Sequence, residues 1–293
     1  MKIVVTGAGG LVGGGLALAL SRRHAVIGLV NRQPAPASVA SERLDLVAED
    51  AVTRIIARLG PAAIVHCAAL ADADACERDP GRARALNQDL PGRLARACAK
   101  AGVRIVLLST DLVLPGDRQR SDEESPPGPL STYARTKLAG EQAALAEALD
   151  AVVLRLALVV GRGHCPRPTA SEAVAWALRE RRPLRLFHDQ YRSPVDVASL
   201  ADAVEAAAEG RGAGTYHIGG GERLSRYELG CRVADELGYS RETLVAVAAA
   251  DVPLAAPRPR DASLDSTRAA RDLGWTPRPL AAAIRDGRPA PDG

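Results

Sequence analysis

Tyr133 and Lys137 stand four residues apart in PLSTYARTKLAGEQ, and together they could deliver a proton to a carbonyl oxygen. On a helix, positions i and i+4 share one face. An ammonium beside a phenol favours the phenolate, so the pairing predicts a Tyr133 pKa below the usual value of about 10. A compact ammonium can also hydrogen-bond a ribose, a role that a planar guanidinium fills less well. The chain writes nearly all its basic positions as arginine and keeps lysine only at Lys2, Lys100 and Lys137. The spacing alone also fits a surface tyrosine followed by a solubilising lysine. Upstream, RIVLLSTDLVLPG brings Ser109, Thr110 and Asp111 to the end of a strand-like run. A hydroxyl there could hold a carbonyl oxygen toward Tyr133, although either residue could equally close a strand-capping turn.

Such groups need a scaffold, and the first half of the chain supplies its pattern. The runs KIVVTG, HAVIGLVNR, AAIVHCAA, RIVLLST and AVVLRLALVVG read as strands, with helix-like stretches between them. The runs are short and continuously apolar, as in a parallel sheet covered on both faces. The expectation is an α/β fold, a Rossmann-type doubly wound parallel sheet. After about Gly161 the alternation loosens. Residues 1–160 are therefore expected to form the nucleotide domain, with a segment at about 186–212 returning to it, and residues 161–293 a smaller C-terminal lobe. PGRARALNQDLPGRLARACAKAG reads as one helix, and Ser225 with Glu228 as a helix-opening capping box. The closing GRPAPDG suggests a frayed terminus.

The first strand runs directly into TGAGGLVGGG, with Gly7, Gly10 and Gly13 in G-x-x-G-x-x-G spacing and Leu11 and Val12 opening the helix. A sharp strand-to-helix turn, close backbone approach to a pyrophosphate and tight helix–sheet packing each exclude a Cβ. The second strand ends at Asn31 and Arg32, with no acid between Ile27 and Gln33. A guanidinium suits a 2′-phosphate, so NADP(H) is expected ahead of NAD(H). Asp45 could accept from an adenine amino group with Leu46 packed on the ring, or could simply precede a helix. Cys67, Ala68 and Ala69 end the third strand-like run with side chains small enough for a cofactor to pass.

The composition excludes other classes. The net charge is +3, with arginines interleaved among acids, so no nucleic-acid partner is expected. The odd count of 5 cysteines, without a C-x-x-C pair, fits a reducing, cytoplasmic setting. The strand pattern begins at Lys2, so no signal peptide is expected, and no apolar run reaches membrane-spanning length. The 5 histidines are scattered, and adjacent His164 and Cys165 are poorly spaced to share a metal, so none is expected.

The set TGAGGLVG, HCAAL, LLSTDLVLPG and YARTK resembles the extended short-chain dehydrogenase/reductases. STDLVLPG, CERDPGRARALN, PLSTYARTKLAGE, HDQYRSPVDVASLADA and PRPRDASLD are similar to the dTDP-4-dehydrorhamnose reductase branch, over roughly residues 1–280. The resemblance implies a catalytic trio in which Tyr133 donates the proton, Lys137 anchors the ribose and Thr110 orients the carbonyl. It implies NADPH, a nucleotide-linked 4-keto-6-deoxysugar as substrate and carbohydrate biosynthesis as setting. It also implies Asn87 and Asp111 at the sugar and Arg258 at a phosphate, with homodimers common in the wider family. The sugar side departs from the pattern. Leu158 stands where a tryptophan is usual, HCPRP replaces an asparagine–phenylalanine segment, and Tyr191-Arg192 occupies a glycine-containing turn. Two alternatives therefore stay open. One is a cofactor-binding regulatory subunit without turnover, as in the branch's methionine adenosyltransferase β subunits. The other is a related reductase, epimerase or dehydratase acting on another carbonyl.

Overall fold

The computed structural model describes residues 1–163, 165 and 167–288. His164 and Pro166 of the HCPRP stretch, and residues 289–293 of the expected frayed end, lie outside the described residues. Seven parallel strands make the central sheet. They are β1 (Lys2–Thr6), β2 (Ala25–Val30), β3 (Ser41–Arg43), β4 (Ala63–His66), β5 (Arg104–Thr110), β6 (Val152–Leu156) and, much later in the chain, Gly214–Ile218. Between β6 and that last strand come four two- to four-residue pieces, β7 (Val159–Val160), β8 (Leu184–Phe187), β9 (Tyr191–Arg192) and β10 (Val195–Asp196), which makes Gly214–Ile218 β11. Two more follow, β12 (Leu224–Ser225) and β13 (Leu244–Val247). The order across the sheet is β3-β2-β1-β4-β5-β6-β11. Connections therefore reverse direction between β1 and β4, and ligands bind at such a switch point.

The helices are α1 (Leu11–Leu20), α2 (Ala51–Leu59), α3 (Ala73–Arg78), α4 (Pro80–Arg84), α5 (Leu90–Ala101), α6 (Thr132–Glu147), α7 (Ala170–Arg179), α8 (Val197–Ala208), α9 (Arg226–Leu237), α10 (Thr267–Leu273) and α11 (Leu280–Asp286). The strand period of two divides the sheet's side chains between two cores. Ile3, Val5, Val65, Val106, Leu108, Val152 and Leu154 face the core shared with α1 and α8. Val4, Ile64, Ile105, Leu107 and Val153 face the core shared with α2, α5 and α6. A third cluster, from Val160 through Val174, Leu186 and Val233 to Ile284, holds the outer lobe together.

Several local expectations change. The run AVVLRLALVVG divides into β6 and β7. The chain that returns to the sheet extends past residue 212, because β11 supplies the seventh strand and Trp275 is buried in the same core as α8, donating to the Ser199 carbonyl at 2.6 Å. The expected single helix from Pro80 is interrupted by a π turn, Ala85–Asp89, between α4 and α5. Pro91 has no N–H to offer the Asn87 carbonyl, and α6 packs against that carbonyl through Gly140, where a Cβ would lie 2.1 Å from the oxygen. The Ser225–Glu228 capping box forms as read. No helix among the described residues is long and apolar enough to cross a membrane.

Candidate active site

At the carboxyl edge of β1 the chain turns at Gly7, whose φ of +67° favours glycine. The loop is built by close approach. A Cβ at Gly7 would meet the Ala68 Cα at 2.8 Å, and one at Gly13 would meet the Gly7 carbonyl oxygen at 2.3 Å. Gly10 begins α1 with no side-chain cap, and the first turn carries no acid, leaving its positive end available to a phosphate. The Thr6 hydroxyl, which motif reading missed, accepts from the Cys67 and Ala68 amides at 3.2 Å each and ties the ends of β1 and β4 together. These features fit a dinucleotide: the cradle is one that Cβ atoms would fill. Gly13→Ala tests the fit. Helix propensity alone would favour alanine by about 1 kcal/mol, but a clash with fixed backbone costs about 1–3 kcal/mol and distorts the loop. The expected outcome in a fluorescence titration is dinucleotide binding weakened by about tenfold or more.

Asn31 and Arg32 lie exposed beyond β2, and Arg32 has no ion pair among the described residues. Asp45 is exposed, and one carboxylate oxygen accepts from the Val47 amide at 3.0 Å, closing a turn. Leu46 is buried in the α2–α5 core, so its side chain does not present a face to an adenine ring in this structure. Cys67, Ala68 and Ala69 are half-buried at the end of β4, beside the glycine loop.

Across from that loop, Thr110 ends β5 and Tyr133 and Lys137 lie on α6. Ser131 caps α6 by accepting from the Ala134 amide at 3.2 Å, and Glu77 of α3 accepts from the Thr132 amide and hydroxyl at 2.7 and 2.6 Å. A carboxylate at a helix N-terminus is favourable, so the entry angle of α6 is pinned one residue before Tyr133. The Thr110 hydroxyl accepts from the Leu112 amide and donates to Asp111 Oδ1 at 3.2 Å, and it lies close enough to the Tyr133 phenol to favour its ionised form, against the larger effect of burial.

The expected downward shift of Tyr133 does not occur. Burial pushes the phenol well above its ordinary value, and the Asp111 carboxylate pushes it further. The reason is where Lys137 points. Its ammonium, 4% exposed, donates to the Leu108 carbonyl of β5 at 2.6 Å instead of addressing the phenol. Burial in turn brings Lys137 down to about 8.

Asp111 is buried and pushed up to about 6 by burial, with the Arg192 guanidinium partly opposing. Its Oδ2 lies 3.4 Å from Arg192 Nε without a hydrogen bond. Arg226, the first residue of α9, lies close enough to feel both. Asn87 is not at an open surface. Its side chain accepts from the Leu70 amide at 2.8 Å and donates to the Leu70 carbonyl and Thr136 hydroxyl at 3.1 and 3.3 Å. It therefore clamps the β4 loop to α6, and direct contact with a substrate finds no support. Arg258 is held by the Ala256 carbonyl at 2.6 Å and Asp74 at 3.4 Å.

Sequence reading also missed the polar row beneath the site. Ser109, Arg155 and His217 are in register across β5, β6 and β11. Their strand neighbours Leu107 and Val153 face α6. Glu141 of α6 closes on the first two, accepting from the Ser109 hydroxyl and, at 2.8–3.2 Å, from the Arg155 guanidinium. An arginine inside the apolar run VVLRLAL was the available signal.

A doubly wound sheet with a glycine cradle at its switch point, facing a hydroxyl, a tyrosine and a buried lysine, defines a dinucleotide-dependent carbonyl/alcohol oxidoreductase architecture. The chain belongs to the RmlD substrate binding domain family, whose profile matches residues 1–287. It is 34% identical to the dTDP-4-dehydrorhamnose reductase of Mycolicibacterium smegmatis, over 99% of this chain and 83% of that protein. It is 33% identical to the methionine adenosyltransferase 2 subunit beta of Pongo abelii, over 91% and 81%. The crystal structure of a hypothetical dTDP-4-dehydrorhamnose reductase from Sulfolobus tokodaii superposes with a TM-score of 0.83 at 30% identity, covering 94% of this chain and 96% of that one.

Proposed function

We propose that the protein is an NADPH-dependent reductase of a nucleotide-linked 4-keto-6-deoxysugar. The observation that carries this reading is the convergence of Thr110, Tyr133 and Lys137 on one edge of the sheet, facing the Gly7–Gly13 cradle, in a chain of this family. Gly7, Gly10, Leu11, Val12 and Gly13 would hold the pyrophosphate, and Cys67, Ala68 and Ala69 would flank the nicotinamide half. When bound, the reduced nicotinamide supplies a hydride. The chain's own groups do the rest. The Thr110 hydroxyl orients the ketone, and the Tyr133 O–H gives its proton to the carbonyl oxygen as negative charge develops there. A phenol pushed upward is fully protonated at neutral pH, which is the form an acid needs. Lys137 holds the ribose and contributes positive charge near that oxygen. Asp111, whose Oδ2 has no hydrogen-bond partner, would accept a sugar hydroxyl.

The preference for NADPH over NADH rests on Arg32. Arg32→Ala is expected to raise the NADPH dissociation constant about tenfold, about 1.4 kcal/mol, and to leave that for NADH unchanged, as read by parallel fluorescence titrations. The reading also places the protein in the cytoplasm, where its 5 cysteines stay reduced, all being free among the described residues. A homodimer is the family's expectation, tested by light scattering.

A regulatory subunit without turnover is the second reading. The chain is 34% identical to the reductase and 33% identical to the regulatory subunit, and Leu158 stands where the family resemblance implies a tryptophan. NADPH oxidation at 340 nm with dTDP-4-keto-6-deoxysugars separates the two. Tight NADPH binding with no consumption would sink the reductase reading.

A further inference from the structure

Tyr133, Lys137 and Glu141 follow one another at four-residue spacing and form a single stripe down α6. The third member has no place in the proton transfer, yet it is the most deeply buried, at 1% exposure. Its carboxylate is gripped by the Ser109 hydroxyl from β5 and by Arg155 from β6 at three short distances. Ser109 immediately follows Leu108, whose carbonyl seats the Lys137 ammonium. The strand that holds the lysine and the acid that follows it are thus tied together by one hydrogen bond.

We propose that Glu141 is a positioning residue for the reaction, supplying through the Ser109–Glu141–Arg155 clamp the countercharge that keeps Lys137 an ammonium ion on the Leu108 carbonyl. The assignment rests on the reading of Lys137 as the ribose anchor. No carboxylate lies within ion-pair distance of Lys137 among the described residues. A buried ammonium without an anion nearby deprotonates. Glu141 is the first influence holding its charge, with Cys67 next. The other titratable groups around it supply little charge near neutral pH. His66 at the end of β4 is kept neutral, pushed down to about 3 by burial and by Lys137 itself. The Cys67 thiol is pushed up to about 12 by burial. β5 offers a carbonyl and a hydroxyl, and the β6 cation, Arg155, is already engaged by Glu141. One carboxylate therefore serves two buried cations, one by contact and one through space.

The sign follows directly. Lys137 is charged below its midpoint and uncharged above it, so removing the Glu141 charge lowers the midpoint and empties the ammonium form at slightly alkaline pH. The test uses a property of this chain, that it has only three lysines. With 13C-lysine incorporated, the side-chain methylene signals of Lys2, Lys100 and Lys137 are titrated by NMR from acid to alkaline pH, and Lys137→Arg assigns the third. In the native protein Lys137 is expected to titrate near 8. In Glu141→Gln the midpoint falls by about one unit or more, while Lys2 and Lys100 do not move, and Glu141→Asp largely restores it. Glu141→Gln leaves Arg155 unpaired and can fail to fold, so Glu141→Gln/Arg155→Met is measured beside it. Thermal stability recovers in the double variant, but the Lys137 midpoint stays below native. Midpoints coinciding with native in both variants would overturn the assignment and leave Glu141 a purely structural partner of Arg155. NADPH affinity followed against pH should lose strength at the same shifted midpoint. A native protein that binds no NADPH at any pH would sink the reductase reading, whereas the lysine titration decides the Glu141 assignment either way.

Discussion

Tyr133→Phe is expected to lower NADPH-dependent carbonyl reduction by about 10²- to 10⁴-fold, with NADPH affinity close to native. The substitution removes one oxygen. It leaves the ring on α6, the Ser131 cap and the Glu77 clasp untouched, so the helix keeps its angle. What is lost is the proton. Water would have to supply it to a site lined by the buried Thr110 and Asp111. The expected kinetic signature is a fall in kcat with little change in KM, because the phenol acts on the developing charge more than on the ground state. A loss of under about fivefold would mean that another group, with Thr110 first in line, delivers the proton. A parallel loss of NADPH affinity would mean that the ring holds the cofactor more than it serves the chemistry.

The glycine cradle and the Tyr133–Lys137 pair were legible in the sequence because each is a local geometric demand. A strand that turns into a helix within a few residues has no room for side chains, and that need is written in consecutive positions. The doubly wound sheet was legible for a similar reason, since continuous apolar runs at strand length leave few alternatives. What the sequence concealed depends on contacts between distant segments. Spacing puts Tyr133 and Lys137 on one face but does not say where a flexible four-carbon chain ends. The Leu108 carbonyl captures it, and the sign of the phenol's shift follows burial instead. β11 joins the sheet from beyond residue 213, a pairing that no pattern local to either segment could announce. Asn87 was expected at the sugar because the family resemblance implies it there, within what read as one helix. The π turn rotates it inward to serve Leu70 and Thr136, and the proline four residues on, which frees its carbonyl, was the overlooked sign.

Arg155 shows most clearly why a residue can be unreadable and still matter. In VVLRLAL it looks like a flaw in a buried strand. Its meaning appears only when α6, fourteen residues earlier, delivers Glu141 against it. Arg155→Met is therefore expected to destabilise the fold by about 3–5 kcal/mol, because the Glu141 carboxylate stays behind, buried and without its main partner. Lys137 offsets this only in part, since its ammonium is committed to the Leu108 carbonyl. The measurement is urea unfolding at pH 7.5, with the slope checked so that a midpoint change can be read as stability. Glu141→Gln/Arg155→Met should regain much of the loss, since a methionine beside a neutral amide leaves no buried charge behind. If the single variant lost under about 1 kcal/mol, the pair would be behaving as an exposed salt bridge does. The polar row across β5, β6 and β11 would then be wet, and its influence on Lys137 would be screened with it. A large loss recovered in the double variant would instead place a dry, charge-paired floor beneath the active helix. That is the condition under which one carboxylate can govern the ionisation of a lysine that it does not touch.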